Sequence, residues 1–382
     1  MKKYYLSHFN IFKVNLTNLQ KNKDGFIYFF ENFVCSKHSS GIYNYLPLGV
    51  ILKDKICEFI HSRQSLIGPC VEVSNILDIN LYKETNRINA FGGELFQLKS
   101  RDNKTLALSA TAEEVFINDI IKSKISYKDL PVYYYQISQK FRDEIRPRNH
   151  LLRSKSFIMK DGYYFCKNQQ ELNEFYSFIY DEYKQTFDLL ELEYSILQPE
   201  PGQMLEQESH EFIVKASDSN YNIVEFSSDE VKGIEIGHIF NLGSIYSKTF
   251  NKYYIDSSDS QNIILMGSYG IGISRLVYLM AMKMYNCVLP SIINLFDVLL
   301  IPRDKNIETM FLNSMSHFNI KILVNDYYKE NYDKRCLSSS LFSVNYVVIE
   351  KNYKYLISNS KNETLYKDLS FVEMIEQMKK LI

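Results

Sequence analysis

The chain of 382 residues has no tryptophan, no Cys-x-x-Cys pair, no apolar run long enough to span a membrane and almost no net charge. Each absence excludes something. The six cysteines (Cys35, Cys57, Cys70, Cys166, Cys287 and Cys336) are scattered, which argues against a disulfide framework or clustered zinc site and for a reducing compartment. Without a stretch of ~20 apolar residues there is no candidate transmembrane helix. The opening MKKYYLSHFNIF lacks the apolar segment of a secretory signal. With 44 basic and 45 acidic residues the net charge is −1, so a nucleic-acid footprint would have to be a local basic patch. The lack of tryptophan goes with a richness in Asn, Lys, Ile and Tyr. We read that as the codon bias of an AT-rich genome, as in a reduced symbiont, a parasite or an organelle-derived lineage; it carries no chemistry. No internal repeat or low-complexity linker appears, and the length predicts two or three domains with a large core.

Chemistry concentrates in two segments. The first, Lys140 to Lys160, reads KFRDEIRPRNHLLRSKSFIMK. It predicts an antiparallel strand–loop–strand hairpin that gathers Arg142, Arg148 and Arg153 beside Glu144 and Phe157. Arginine forks grip phosphate bidentately, a ring stacks on a base, and a carboxylate accepts hydrogen bonds from an exocyclic amine. The pattern fits a nucleoside triphosphate; a hairpin laced with salt bridges is the alternative. The second segment, Met266 to Leu276, reads MGSYGIGISRL. Gly267, Gly270 and Gly272 thin the backbone ahead of Arg275, which opens a helix predicted to run to Tyr285. That spacing fits neither a GxxxxGK[ST] phosphate loop nor a Rossmann turn.

These two segments resemble motifs 2 and 3 of a class II aminoacyl-tRNA synthetase, and their wording is similar to prolyl-tRNA synthetases of the bacterial and organellar type. Four further blocks stand in the family order: GIYNYLPLG from Gly41, LSATAEE from Leu108, SHEF from Ser209 and GIEIGHIFNLGSIYS from Gly233. The resemblance runs to about Pro290. It implies an α+β catalytic domain over 1–290, a mixed, mostly antiparallel sheet flanked by helices, followed by an anticodon-binding α/β domain over 295–382. It also implies activation of L-proline with ATP and Mg²⁺, transfer to tRNA(Pro), no zinc, a homodimer through motif 1, no membrane association, and a cytoplasmic or alternatively organellar location.

The resemblance implies roles residue by residue. Arg142 matches the arginine that bridges the α-phosphate and the amino-acid carboxylate. Glu144 matches the reader of the adenine edge, Phe157 the ring stacked on adenine, Arg153 a cation for the outer phosphates and Arg275 a cation for the γ-phosphate. Gly270 and Gly272 match the floor under ATP. Glu235 matches the acidic residue that holds Mg²⁺ and the ribose, or is a plain strand residue. Thr111 and Glu113 match the Thr-x-Glu pair on the imino group of proline; the spacing from Thr111 to Glu114 is also that of a helix capping box. His238, Met159 and Tyr269 match walls of the proline ring, with a structural histidine as the alternative for His238. His210 and Glu211 are read as structural neighbours.

Organisation follows from periodicity. Residues 1 to about 60 read as an entry segment and a helix over Leu48–Ser62, with Val50, Ile51, Ile56, Phe59 and Ile60 at helical spacing. It would be the motif 1 helix at a dimer interface, or simply a core helix. Further helices are predicted near Thr111–Ser123 and Gln169–Leu190. Beyond Leu295, strands Phe296–Ile301, Ile320–Val324 and Val344–Ile349 alternate with helices Lys305–His317, Asp333–Phe342 and Ser370–Ile382, the pattern of a mostly parallel sheet.

Three departures from the family stand out. Met204-Leu205-Glu206-Gln207-Glu208 replaces a Gly-Gly step before SHEF. Asn325-Asp326-Tyr327 stands where relatives carry Asp-Asp-Arg. Only Ala216 to Lys232 fills the place of the large editing insertion. A threonyl or seryl enzyme is disfavoured by the GIEIGHIF and LLRSKSF blocks, and a non-catalytic tRNA-binding protein by the retention of Arg142, Arg153 and Arg275. Small apolar pockets discriminate weakly between similar substrates, so without an editing domain the chain should leave alanyl-tRNA(Pro) intact. Deacylation no faster than in buffer is the expected result, and rapid hydrolysis would overturn it.

Overall fold

The structure is a computed structural model. It describes residues 1–9, 24–122, 124–198, 208–215, 226–227, 232–330, 335, 344–351, 353–359 and 363–382. The run Met204 to Gln207, most of Ala216 to Lys232 and all of the expected helix Asp333–Phe342 except Arg335 lie outside the described residues. The chain divides into two compact units, one formed by Lys37–Tyr43 with Ile56–Tyr278, the other by Met1–Ser36, Asn44–Lys55 and Leu279–Ile382.

Helix α1 spans Pro47–Gln64. Its buried stripe is Leu48, Leu52, Ile56, Phe59 and Ile60. Val50, expected on that stripe, is exposed, because the apolar repeat of three and four residues is set by Leu48 and Leu52. The short helix α2 follows at Arg87–Phe91.

The first unit is built on an antiparallel sheet. Strands β1 (Val132–Phe141) and β2 (Ser156–Cys166) form the expected hairpin. Helix α3 (Gln169–Leu189) follows, started by the Asn168 side chain, which accepts from the Glu171 N–H at 2.9 Å. Strands β3 (Tyr194–Leu197), β4 (Glu208–Lys215), β5 (Lys232–Gly243) and β6 (Leu265–Ile271) complete the spatial order β3-β4-β5-β6-β2-β1, and the short strand Phe226–Ser227 pairs with β5. Helix α4 (Ile273–Tyr285) begins at once after β6. The buried stripe of α3, Leu172, Tyr176, Ile179, Tyr183 and Phe187, covers one face of the sheet. The opposite face is left for chemistry.

The segment after Thr111 departs from expectation. Only Glu113–Val115 is α-helical, and Phe116–Ile120 widens into a π turn. No capping box forms: Ala112 holds the cap position without a side-chain bond, while the Thr111 hydroxyl and the Glu114 carboxylate are drawn to other partners.

In the second unit, β7 (Phe296–Ile301), α5 (Lys305–Ser314), β8 (Lys321–Val324) and β9 (Val344–Lys351) follow the predicted alternation. Two strands were not anticipated, β10 (Lys354–Asn359) and β11 (Thr364–Leu369), both antiparallel. Helix α6 (Phe371–Leu381) is started by a capping box from Ser370 to Glu373. Residues Lys2–Tyr5, read as the entry to the catalytic domain, instead pair in parallel with β8 at the edge of this sheet. Four residues are too few for period-2 alternation to reveal a partner. Among the described residues no helix is long and apolar enough to cross a membrane.

One charge is buried between the sheet and α3. Lys160 of β2 is inaccessible, and its Nζ donates to the Tyr183 hydroxyl at 3.0 Å and the Tyr269 carbonyl at 3.3 Å. Burial pushes its pKa down to about 7, although Asp161 and Glu182 pull the other way. An unfolded lysine titrates near ~10.4. The folded state therefore carries a penalty for holding the proton below pH 7, and that penalty is relieved as pH rises from about 7 towards 10. Thermal unfolding at several pH values should show wild type gaining on Lys160→Met across that window; parallel pH profiles would sink the assignment.

Candidate active site

The open face of the sheet is organised in rows. Alternation along β2 puts Phe157, Met159, Asp161 and Tyr163 on this face and Ile158, Lys160 and Gly162 on the other. Across the strands, Gln136 of β1 stands beside Asp161, Asp161 beside Gly270 of β6, Gly270 beside His238 of β5, and His238 beside Glu211 of β4. The neighbouring row carries Tyr163, Ser268 and Phe240. One cleft opens over these rows, and every residue expected in the site except Arg148, Tyr269 and Gly270 borders it.

The two on the glycine-rich strand follow from its alternation and from the glycine's lack of a side chain. Ser268 faces the cleft, so Tyr269 points to the α3 side, where it is fully buried against Tyr133 and Phe175. Tyr269 therefore does not wall the pocket, and Ser268 occupies that position. Gly270 lies under the imidazole of His238: a Cβ there would come within 2.4 Å of the ring. It makes room for His238 rather than for a nucleotide. Gly272 does border the cleft, with the Arg275 side chain 3.3 Å from where its Cβ would be.

The charges are held mostly in pairs. Arg275 donates from Nη1 to the Glu235 carbonyl at 2.7 Å and to its carboxylate at 3.0 Å, and from Nε to the Leu152 carbonyl at 3.1 Å. His238 Nδ1 lies 3.2 Å from the other Glu235 oxygen. Burial raises the pKa of Glu235, but the hydrogen bond with His238 and the Arg275 charge outweigh it and hold the carboxyl at about 2. Arg153 pairs through Nε with Glu144 at 2.8 Å. Arg142 differs. Its Nε reaches the Ala110 carbonyl at 3.4 Å and its guanidinium carbon sits 5.3 Å from the centre of the Phe157 ring. No carboxylate among the described residues lies within 4.0 Å of it. Desolvation pulls its pKa below the ordinary arginine value.

Thr111 and Glu113 meet as expected, the hydroxyl donating to Oε2 of the carboxylate. Ser268 Oγ donates to Oε1 at 3.0 Å. What the sequence did not reveal is Arg87. From α2 its Nη1 reaches Glu113 Oε2 at 3.0 Å and both oxygens of Glu114, at 3.0 and 3.1 Å, with all three residues 1% exposed. One guanidinium thus serves two carboxylates. Burial drives Glu114 up, and Glu113, whose burial is outweighed by Arg87 and Thr111, down. Arg87 also lies 5.0 Å from the ring centre of Phe91, a residue of the cleft wall. Nothing in the local pattern of Arg87 marks it, because its partners are 26 and 27 residues away.

The family described as "tRNA synthetase class II core domain (G, H, P, S and T)" matches residues 96–283. A proline–tRNA ligase of Pelagibacter ubique (strain HTCC1062) is 30% identical over 373 residues, covering 81% of this chain and 84% of the relative. The chain belongs to the proline–tRNA ligase family. A ligase of this family from Methylorubrum extorquens (strain PA1) is 32% identical over 292 residues, covering 63% of this chain but 66% of the relative's own length. Among solved structures, Giardia lamblia prolyl-tRNA synthetase in complex with prolyl-adenylate superposes with a TM-score of 0.73 at 17% identity, covering 89% of this chain and 74% of that one. The Cryptosporidium parvum enzyme complexed with L-proline and AMP gives 0.73 at 14%, covering 95% and 76%. These likenesses establish the class II fold.

Arg87→Met leaves two buried carboxylates without a cation. It is expected to cost about 3–5 kcal/mol in urea unfolding, and adding Glu114→Gln should recover part of the loss. Unchanged stability in the single variant would refute the shared-cation arrangement.

Proposed function

We propose that the chain is a proline–tRNA ligase. It joins L-proline to ATP, giving prolyl-adenylate and pyrophosphate, and then passes the prolyl group to the 3′ end of tRNA(Pro). The observation that carries this is Arg142: a half-buried guanidinium in the cleft with no carboxylate counter-ion among the described residues, next to an aromatic face. It suits two anions that must approach each other.

In the first step a carboxylate oxygen of proline attacks the α-phosphorus and pyrophosphate leaves. No enzyme nucleophile is needed; the work is positioning and charge neutralisation. Arg142 would hold the proline carboxylate against the α-phosphate. Thr111 and Glu113 would orient the imino group, and Met159 and His238 would border the ring. Glu144 and Arg153, paired with each other here, would turn to adenine and the outer phosphates, and Phe157 would face the base. Arg275 would meet the γ-phosphate with Glu235 behind it. In the second step a ribose hydroxyl of the tRNA attacks the adenylate carbonyl and AMP leaves.

Mg²⁺ enters with ATP as part of the substrate. Among the described residues no group of three or more His, Cys, Asp or Glu is placed to hold a metal alone. Mg²⁺ is commonly held by one or two carboxylates plus substrate phosphates, so Glu235 fits as a single protein ligand.

The second unit would bind the anticodon through residues other than the Asp-Asp-Arg position. Asn325 is fully buried there, exchanging hydrogen bonds with Arg335 at 3.2 Å through both ends of its amide. A homodimer through α1 and a cytoplasmic location belong to the same reading.

The test is ATP–pyrophosphate exchange with proline beside alanine, cysteine, threonine and serine. Exchange should depend on proline and fall ~100-fold or more in Arg142→Ala. A folded protein that exchanges with none of the five would point to a tRNA-binding protein without activation chemistry.

A further inference from the structure

We infer that Asp161 is a second carboxylate for the substrate ammonium, acting opposite Glu113. The inference rests on the reading of the cleft as a proline site.

The two oxygens of Asp161 are unequally served. Oδ2 accepts from Gln136 Nε2 at 2.9 Å and from the Tyr163 hydroxyl at 2.9 Å, and pairs with Lys140 Nζ at 3.3 Å. Oδ1 has no donor among the described residues, although the residue is only 3% exposed and borders the cleft. A buried carboxylate oxygen without a donor is costly, so the site is incomplete as the protein alone builds it.

The row across the sheet says where the missing donor belongs. Asp161 has Gln136 on one side and Gly270 on the other, with His238 beyond. Neighbours in such rows are about 4.5–5.5 Å apart, and the glycine contributes no side chain, so the His238 imidazole leans over it towards Asp161. Glu113 reaches the adjacent row through Ser268. Tyr163 ties the two together: its hydroxyl donates to Asp161 and accepts from the Ala112 N–H at 3.1 Å, one residue before Glu113.

A secondary ammonium has two N–H donors. Both oxygens of Glu113 already accept, from Ser268 on Oε1 and from Thr111 and Arg87 on Oε2. One substrate N–H directed to Glu113 and the other to Asp161 Oδ1 uses the acceptors that remain. Lys140, fully buried and also bonded to Ser138 at 2.9 Å, holds the other oxygen of the Asp161 carboxylate from the same face of the sheet.

The experiment compares two ligands in the exchange assay. Proline carries the ammonium; tetrahydrofuran-2-carboxylate, scored as an inhibitor, keeps the ring and carboxylate with oxygen in its place. Asp161→Asn should raise the KM for proline about tenfold or more. The KM for ATP and the inhibition constant of the ether should stay within about twofold. Equal weakening of both ligands would make Asp161 a structural residue and overturn the assignment, as would an unchanged proline KM. If Asp161→Asn strands Lys140 and fails to fold, the same comparison is made between Lys140→Met and Lys140→Met/Asp161→Asn. Proline exchange absent from wild type would instead remove the proline reading, and this inference with it.

Discussion

Everything in the cleft depends on neutralising charge where little water reaches. Isolated ions are expensive in such surroundings, and a lone buried charge is far worse than a paired one. Partners set close by meet this: Arg275 with Glu235 and Arg153 with Glu144 at partly exposed positions, and, where burial is nearly complete, Lys140 with Asp161 and Arg87 between Glu113 and Glu114. The last group holds two carboxylates against one guanidinium and so favours a cation. Arg142 stands apart from these pairs and favours an anion. An amino acid, with an ammonium and a carboxylate on the same carbon, carries both charges.

The hairpin and the glycine-rich strand were legible because their signals are local. Alternation along Ser156–Cys166 fixes which side chains share a face, and the register with Val132–Phe141 then follows. The same rule, carried one step past Met159, would have found Asp161, and carried along Leu265–Ile271 it would have exchanged Tyr269 for Ser268. The Tyr269 reading, and the silence on Asp161, came from following the family wording residue by residue instead of the period of the strand. Arg87 is a different case. It lies in a five-residue helix, and its role comes from tertiary contact alone.

Outside the sheet, legibility fell where local chemistry offered two outcomes. Thr111 and Glu114 have the spacing of a cap, yet a buried arginine competes for the acid and a neighbouring carboxylate for the hydroxyl. Tertiary charge pairing won over a helix-end bond that contributes only about 1 kcal/mol. In the second unit the alternation of strand and helix was readable as far as Val344–Lys351, and the two antiparallel strands after it were not, since polar stretches such as TLYKDL show no clean apolar face.

The strand at Lys2–Tyr5 bears on the order of assembly. Its partner, Lys321–Val324, belongs to a segment made some three hundred residues later, and Ser7 is bonded to Asp326 just beyond it. A contact of that separation closes a very long loop, and such contacts are slow to form. During synthesis the first residues must therefore wait, unpaired, while the whole catalytic sheet is made. The edge formed by Lys2–Tyr5 cannot close before residue 324 has been made.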